Sequence, residues 1–213
     1  MSPLRCLLVA ATAALSCSAA LPGQAQEAPA AAPATVYNIE LIVFRNNGTQ
    51  GGAESWGTQG ASARNIAGDE SPTGTTQVGR FVGVLPSSSY QLTDLENRMR
   101  ASGAYVPVAH VAWSQTASSW GTRAGFPLQR LGVDVEGLTG TVFLEHGQYL
   151  HLGMTLNYAM AAPPPGLGAA PGTPFNINES RRVKFYDRNY FDHPAYGVIA
   201  LVTPAQGAKP PGR

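Results

Sequence analysis

The chain has 213 residues, 13% of them charged and 44% hydrophobic, with 14 Lys and Arg against 13 Asp and Glu, 24 Gly, 17 Pro and two Cys. Near-neutrality argues against a nucleic-acid partner, whose phosphates demand an excess of positive charge. Both cysteines, Cys6 and Cys17, fall near the start, so the rest of the chain carries no disulfide framework, no Cys-ligated metal site and no cysteine nucleophile.

Arg5 is the one charged residue before Glu27, and an alanine-rich apolar run to Leu15 follows it, ending in the small residues of Gly23-Gln24-Ala25. A basic start, a short apolar stretch and small residues at the cleavage point predict a removable export signal over 1–25. Its removal leaves 13 basic against 13 acidic residues and no thiol. A second reading stands beside it: Ala14-Leu15-Ser16-Cys17 resembles a lipoprotein processing site, with Cys17 acylated and kept. Either way the expected location is the periplasm. No later segment has the roughly 18 consecutive apolar residues of a membrane-spanning helix.

Residues 26–35, rich in Pro and Ala, read as a flexible leader. Val36 to Phe44 is β-branched and aromatic, with apolar residues on both faces, and predicts a central strand covered on two sides. From 46 to 80 there are eight Gly and no sustained periodicity, which reads as a long surface loop carrying one large apolar residue, Trp56. Residues 81–86 form a short apolar edge segment. Ser88-x-x-Gln91 resembles a capping box, and Leu92, Leu95 and Met99 fall on one face, so a helix is expected over about 90–102, stopped by Gly103. Its Asp94, Glu96, Arg98 and Arg100 read as a solvated face.

A strand is expected over 105–115, with Tyr105, Ala109, Val111 and Trp113 on one side and Val106, Val108, His110 and Ala112 on the other. Pro107 favours an edge position or a strand start there. Residues 116–134 look irregular, with Trp120, Arg123 and Phe126 as rim residues. The cleanest pattern is 139–160, where strict alternation around His146-Gly147 predicts a β-hairpin with Leu150, Leu152, Met154, Leu156 and Tyr158 inward. A Pro-rich insert (161–174), an alternating strand (181–188), a final apolar strand (197–203) and a disordered tail (205–213) complete the chain. The expected architecture is one α+β domain over 36–204: an antiparallel sheet of about six strands with one main helix packed on one face.

Four stretches resemble the CsiV-type family of periplasmic peptidoglycan-binding proteins: Tyr37-Asn38-Ile39-Glu40-Leu41-Ile42-Val43-Phe44; Ser102-Gly103-Ala104-Tyr105 through His110-Val111-Ala112-Trp113-Ser114-Gln115; Tyr149-Leu150-His151-Leu152; and Tyr190-Phe191-Asp192-His193-Pro194-Ala195-Tyr196-Gly197-Val198-Ile199. They span nearly the whole mature chain. The resemblance implies a non-enzymatic accessory protein that binds peptidoglycan and supports a bifunctional class A penicillin-binding protein through its outer-membrane lipoprotein activator. The glycine-rich loop and the proline insert depart from the family pattern.

The residues themselves carry no nucleophile elbow, His-Glu-x-x-His zinc helix or phosphate-cradling glycine loop, so no catalytic residue, metal or cofactor is expected. His110 and His151 would need to meet a carboxylate on one sheet face to do chemistry, and His146 reads as a turn residue. Asp192-His193-Pro194 reads as a fixed corner between the last strands, with a ligand role as the alternative. If wall polymer is bound, aromatic faces suit sugar rings and Arg forks suit peptide carboxylates. That makes Trp113, Tyr190, Arg181, Arg182, Asp192 and His193 the candidate ligand-binding residues. Two other functions stay open: an envelope scaffold that contacts only proteins, and a small wall hydrolase using His151 or Asp192 with His193.

Overall fold

The computed structural model describes residues 34–47 and 77–205. The export signal and most of the leader, the greater part of the glycine-rich loop with Trp56, and nearly all of the tail lie outside them. Among the described residues, ten strands and one α-helix run in the order β1 (Val36–Asn46), β2 (Phe81–Val84), α1 (Thr93–Ser102), β3 (Tyr105–Thr116), β4 (Ser118–Ser119), β5 (Phe126–Pro127), β6 (Leu138–His146), β7 (Leu150–Ala159), β8 (Pro174–Arg182), β9 (Arg188–Asp192) and β10 (Tyr196–Pro204).

These strands make two sheets of five, not the single sheet of about six that the pattern suggested. The first has the order β2-β3-β1-β10-β9, and the second runs β4-β6-β7-β8 with β5 paired to β6. All pairings are antiparallel except β4 with β6. Alternation tells which face of a strand is buried, but not which distant strand lies beside it. The β1 pairings with β3 and β10 join residues as far apart as Tyr37 and Pro204, and nothing local encodes them.

The sheets pack face to face. Ile39, Leu41 and Val43 of β1, Val111 and Trp113 of β3, and Val198, Ala200 and Val202 of β10 meet Val142 and Leu144 of β6 and Leu152, Met154 and Leu156 of β7 in one core. Each large aliphatic side chain sealed there contributes about 1.5–3 kcal/mol. On the other face of the first sheet, Ile42, Phe44 and Leu201 pack under Leu92 and Met99 of the helix region. The layers are therefore helix, sheet, sheet, and β1 is covered on both sides as expected.

Helix α1 begins at Thr93, later than the capping-box reading placed it, because Ser87–Ser89 forms a separate 3₁₀ turn. No side chain of the helix's own first turn caps it. The cap comes from β1: Glu40 accepts the backbone N–H of Gln91 and of Leu92, both at 2.8 Å. Gly103, with φ +66°, ends the helix as foreseen.

The strand expected over 181–188 is also displaced. β8 ends at Arg182, and Tyr186, at φ +64°, turns the chain in the left-handed region before β9 begins. Val183 and Phe185 still face inward, Val183 in the core and Phe185 stacked on Tyr37 at 6.0 Å.

Candidate functional site

The six candidate residues do not share one groove. Trp113 has 0% exposure and donates its indole N–H to Gln115 Oε1 at 2.7 Å. It shares a side of β3 with Ala109 and Val111, as the alternation predicts, but that side is the seam between the sheets, so the ring has no face for a sugar. Arg181 is held by Glu179 at 2.7 Å and lies 5.1 Å over the Phe191 ring. Arg182 is on the outer face of the second sheet, 3.3 Å over the ring of Tyr149. There it pairs across strands with His151, which in turn pairs with Glu145 and packs against Trp120 at 4.2 Å. Glu145 is buried and accepts the backbone N–H of Arg123.

Tyr190, Asp192 and His193 do cluster, at the β9–β10 hairpin. His193 and Tyr196 exchange backbone hydrogen bonds across Pro194-Ala195, which makes the expected corner a two-residue turn. Asn46 at the end of β1 clamps it: its Nδ2 donates to Pro194 O at 2.9 Å and its backbone N–H to Ala195 O at 3.0 Å. His193 Nδ1 accepts the N–H of Ala195 at 3.1 Å, and its ring sits against Phe175 and Tyr196. Burial pushes the His193 pKa down, against the pull of the Asp192 charge. At neutral pH this ring is a neutral turn brace.

Tyr190 is different. It stacks on Phe44 with ring centroids 6.0 Å apart, and Tyr105 meets the same Phe44 edge-on at 5.5 Å. Phe44 is 2% exposed, whereas Tyr105 and Tyr190 are 46% and 39% exposed. A buried ring thus supports two open ones at the end of the first sheet, on the helix side. Tyr190 donates its hydroxyl to Asp192 Oδ1 at 2.8 Å. Partial burial, then that hydrogen bond and the Asp192 charge, hold the phenol pKa far above its usual range, so it stays a neutral donor. The result is an aromatic shelf bordered by an exposed carboxylate.

Tyr105 was assigned by alternation to the same side as Trp113, and it lies on the opposite one. Val43 pairs with Ala109 but Phe44 pairs with Pro107, so Val108 is one extra residue in β3. This β-bulge reverses the facing of everything before it. The proline in the strand, Pro107, was the available signal, since Pro within a sheet marks edges or bulges.

A second cluster joins β1, β3 and α1. His110 lies between Glu40 and Glu96, with each ring nitrogen 2.7 Å from a carboxylate oxygen, and Glu96 also takes Arg100 at 2.5 Å. Burial alone would lower the His110 pKa, but the hydrogen bonds to Glu40 and Glu96 and their charges outweigh it and raise it. Burial likewise opposes ionisation of Glu96, yet the bonds from His110 and Arg100 hold its carboxyl below the ordinary value. The arrangement is a strap of alternating acidic and basic side chains, Glu40–His110–Glu96–Arg100, beside a cleft of about 610 Å³ lined by Tyr90. Both histidine nitrogens are committed, so the strap fastens α1 to the sheet. His110 thus meets the carboxylates that chemistry would require of it, but both its ring nitrogens are taken up within the protein; Glu96, expected on a solvated face, is not there, since its side chain is only 16% exposed.

Among the described residues, no group of three or more His, Cys, Asp and Glu could hold a metal ion, and no helix is long and apolar enough to cross a membrane. A family model described as "Peptidoglycan-binding protein, CsiV" matches residues 7–205. No curated protein and no solved structure matches the chain.

Proposed function

Since the chain belongs to the CsiV family, described as peptidoglycan-binding, we propose that it is a periplasmic, non-enzymatic accessory protein that holds wall glycan on the Tyr105–Phe44–Tyr190 shelf. The observation that carries this reading is the pair of exposed tyrosines seated on one buried ring. Saccharide C–H faces lie flat on such rings, and the rigid two-angle tyrosine loses little entropy on contact. Asp192 fixes the Tyr190 ring and offers acceptors to sugar hydroxyls at its edge. In this role the protein supports wall synthesis by a class A penicillin-binding protein and its lipoprotein activator, a link that rests on the family resemblance alone.

The test is co-sedimentation of purified mature protein with isolated sacculi. Wild type pellets, Tyr105→Ala/Tyr190→Ala stays in the supernatant while folded, and Arg182→Ala on the other sheet pellets like wild type. Wild type left in the supernatant at low and moderate salt defeats the proposal. Soluble muropeptides released in the same tubes, and lost with Asp192→Asn, would put the hydrolase reading in its place.

One observation favours a protein-contacting scaffold as the second reading. Val78 and, on the edge strand β2, Val82 and Val84 are 52–62% exposed, a row that an added strand could cover. In-cell crosslinks to proteins that persist after wall digestion, with no sacculus binding, would select it.

A further inference from the structure

One residue past Phe44, β1 turns Arg45 to the opposite side of the first sheet. Arg45 pairs with Tyr196 and Val106 and acts electrostatically on the core residue Tyr158 of the second sheet, so it sits at the open end of the seam between sheets. There it lines a pocket of about 230 Å³ with Asn46, Asn47, Ala162, Pro163, Pro164 and Pro165. Arg45 Nε and Asn46 Oδ1 are both buried with no hydrogen-bond partner. Among the described residues no carboxylate pairs with Arg45, while Arg100 and Arg181 are each tied to a glutamate and Arg130 and Arg182 lie on aromatic rings.

A guanidinium remains charged at any physiological pH, and its fork matches a carboxylate. Buried donors and acceptors in native proteins are almost always satisfied, so two orphans on neighbouring residues in one pocket ask for a ligand that brings both complements. The group that does so is a carboxylate with an amide N–H on the same carbon, the end of a peptide. The wall of the pocket fits the same end. Ala162 offers a methyl and Pro163, Pro164 and Pro165 carry no N–H, so this side receives a small apolar side chain and not a hydroxyl-rich ring. The volume lies below the roughly 300 Å³ at which pockets take drug-sized ligands, too small for a disaccharide.

We infer that the Arg45–Asn46 pocket binds the free carboxyl-terminal residue of a peptide stem, with Arg45 on the carboxylate and Asn46 Oδ1 on its amide N–H. This rests on the wall-binding reading and adds which part of the polymer is read on this side. The two sites are joined by Asn46, whose Nδ2 and backbone N–H hold the β9–β10 turn that presents Tyr190 and Asp192. Sugar on the shelf and peptide end in the pocket then lie on the two sides of one strand end.

The probe is an N-acetylated stem peptide ending in D-alanine, with its free carboxylate or as the carboxamide, titrated calorimetrically into the mature protein. The carboxamide should bind about tenfold or more weakly, the loss of roughly one charge-assisted pair. Arg45→Gln should bind both forms equally weakly, and Arg45→Lys should fall between, since a point charge loses the fork. The carboxamide arm uses wild-type protein, so a variant that fails to fold leaves the test intact. Equal binding of both peptides by wild type overturns the inference, as does loss on Arg45→Gln without loss on amidation, which would assign Arg45 to a carboxylate inside the stem. Sacculus co-sedimentation run in parallel separates the two failures: wild type that pellets while amidation has no effect defeats the pocket and spares wall binding, and wild type that does neither defeats both.

Discussion

At Gly197 the main chain of β10 lies directly against the rings of Phe44 and Tyr190. A methyl group there would sit 2.6 Å from Phe44 Cζ and 3.0 Å from Tyr190 Cε2, closer than carbon atoms tolerate. Gly197→Ala should therefore cost about 1–3 kcal/mol by overpacking, measured by chemical denaturation, and should reduce sacculus binding further by tilting the Tyr190 ring. A variant as stable and as adherent as wild type would mean that the rings yield freely. The Tyr-x-Asp-His-Pro-x-x-Gly stretch thus has a physical reading: Tyr190 is the shelf, Asp192 orients it, His193 and Pro194 make the turn, and Gly197 leaves room beneath. Of these roles the turn was legible in sequence, because proline and its neighbour restrict the backbone locally. The glycine's role was not, because its neighbour Phe44 is 153 residues away. Trp113 shows the converse limit: an apolar residue in an alternating strand is certain to have a covered face, but the pattern does not say whether that cover is protein or ligand.

Helix α1 is a short element whose attachment is electrostatic as well as apolar. The raised His110 pKa means that the folded state holds its proton more firmly than the unfolded chain does. That stabilisation is complete below the ordinary histidine value near pH 6.5 and is lost as pH rises through the higher folded value. Glu96, with its lowered pKa, contributes above the ordinary glutamate range and loses its contribution as pH falls through the folded value. Thermal stability should therefore peak between the two and fall on both sides. His110→Gln should lower the maximum, by about 3 kcal/mol for a broken buried pair, and flatten the alkaline decline; a wild-type melting temperature unchanged across the alkaline limb would refute the strap. The helix, its apolar face and its glycine stop were legible in the sequence, since those signals are local. Its start was not, because the carboxylate that accepts the N–H groups there, Glu40, lies on a strand 52 residues before Leu92. Likewise β3 was located correctly, while the extra residue at Val108 was invisible to a strict two-residue period.

For the whole molecule, the strands were legible and their partition into two sheets was not, because long-range pairing has no periodic signature. Charge acts at this scale too. The full chain carries a formal net charge of only +1, which supplies little bulk attraction, so the contacts proposed for the wall are stacking and single directed pairs such as that of Arg45. Raising salt from about 50 to 200 mM should weaken sacculus binding by less than about tenfold, where a ligand held through six or more phosphate-like contacts loses on the order of 10³. Loss on that larger scale in a salt titration would point to diffuse attraction and away from the shelf.

The pairing of Tyr37 with Pro204 brings the start of the first strand and the end of the last side by side, at the end of β1 opposite Asn46. Seven to nine residue steps at about 3.3 Å, from Tyr37 to Phe44 and Asn46, put the shelf and pocket roughly 23–30 Å from that pair. The start of the first strand and the end of the last therefore lie at one pole of the body and the proposed binding surface at the other, with the long central strand of the first sheet as the spacer between them.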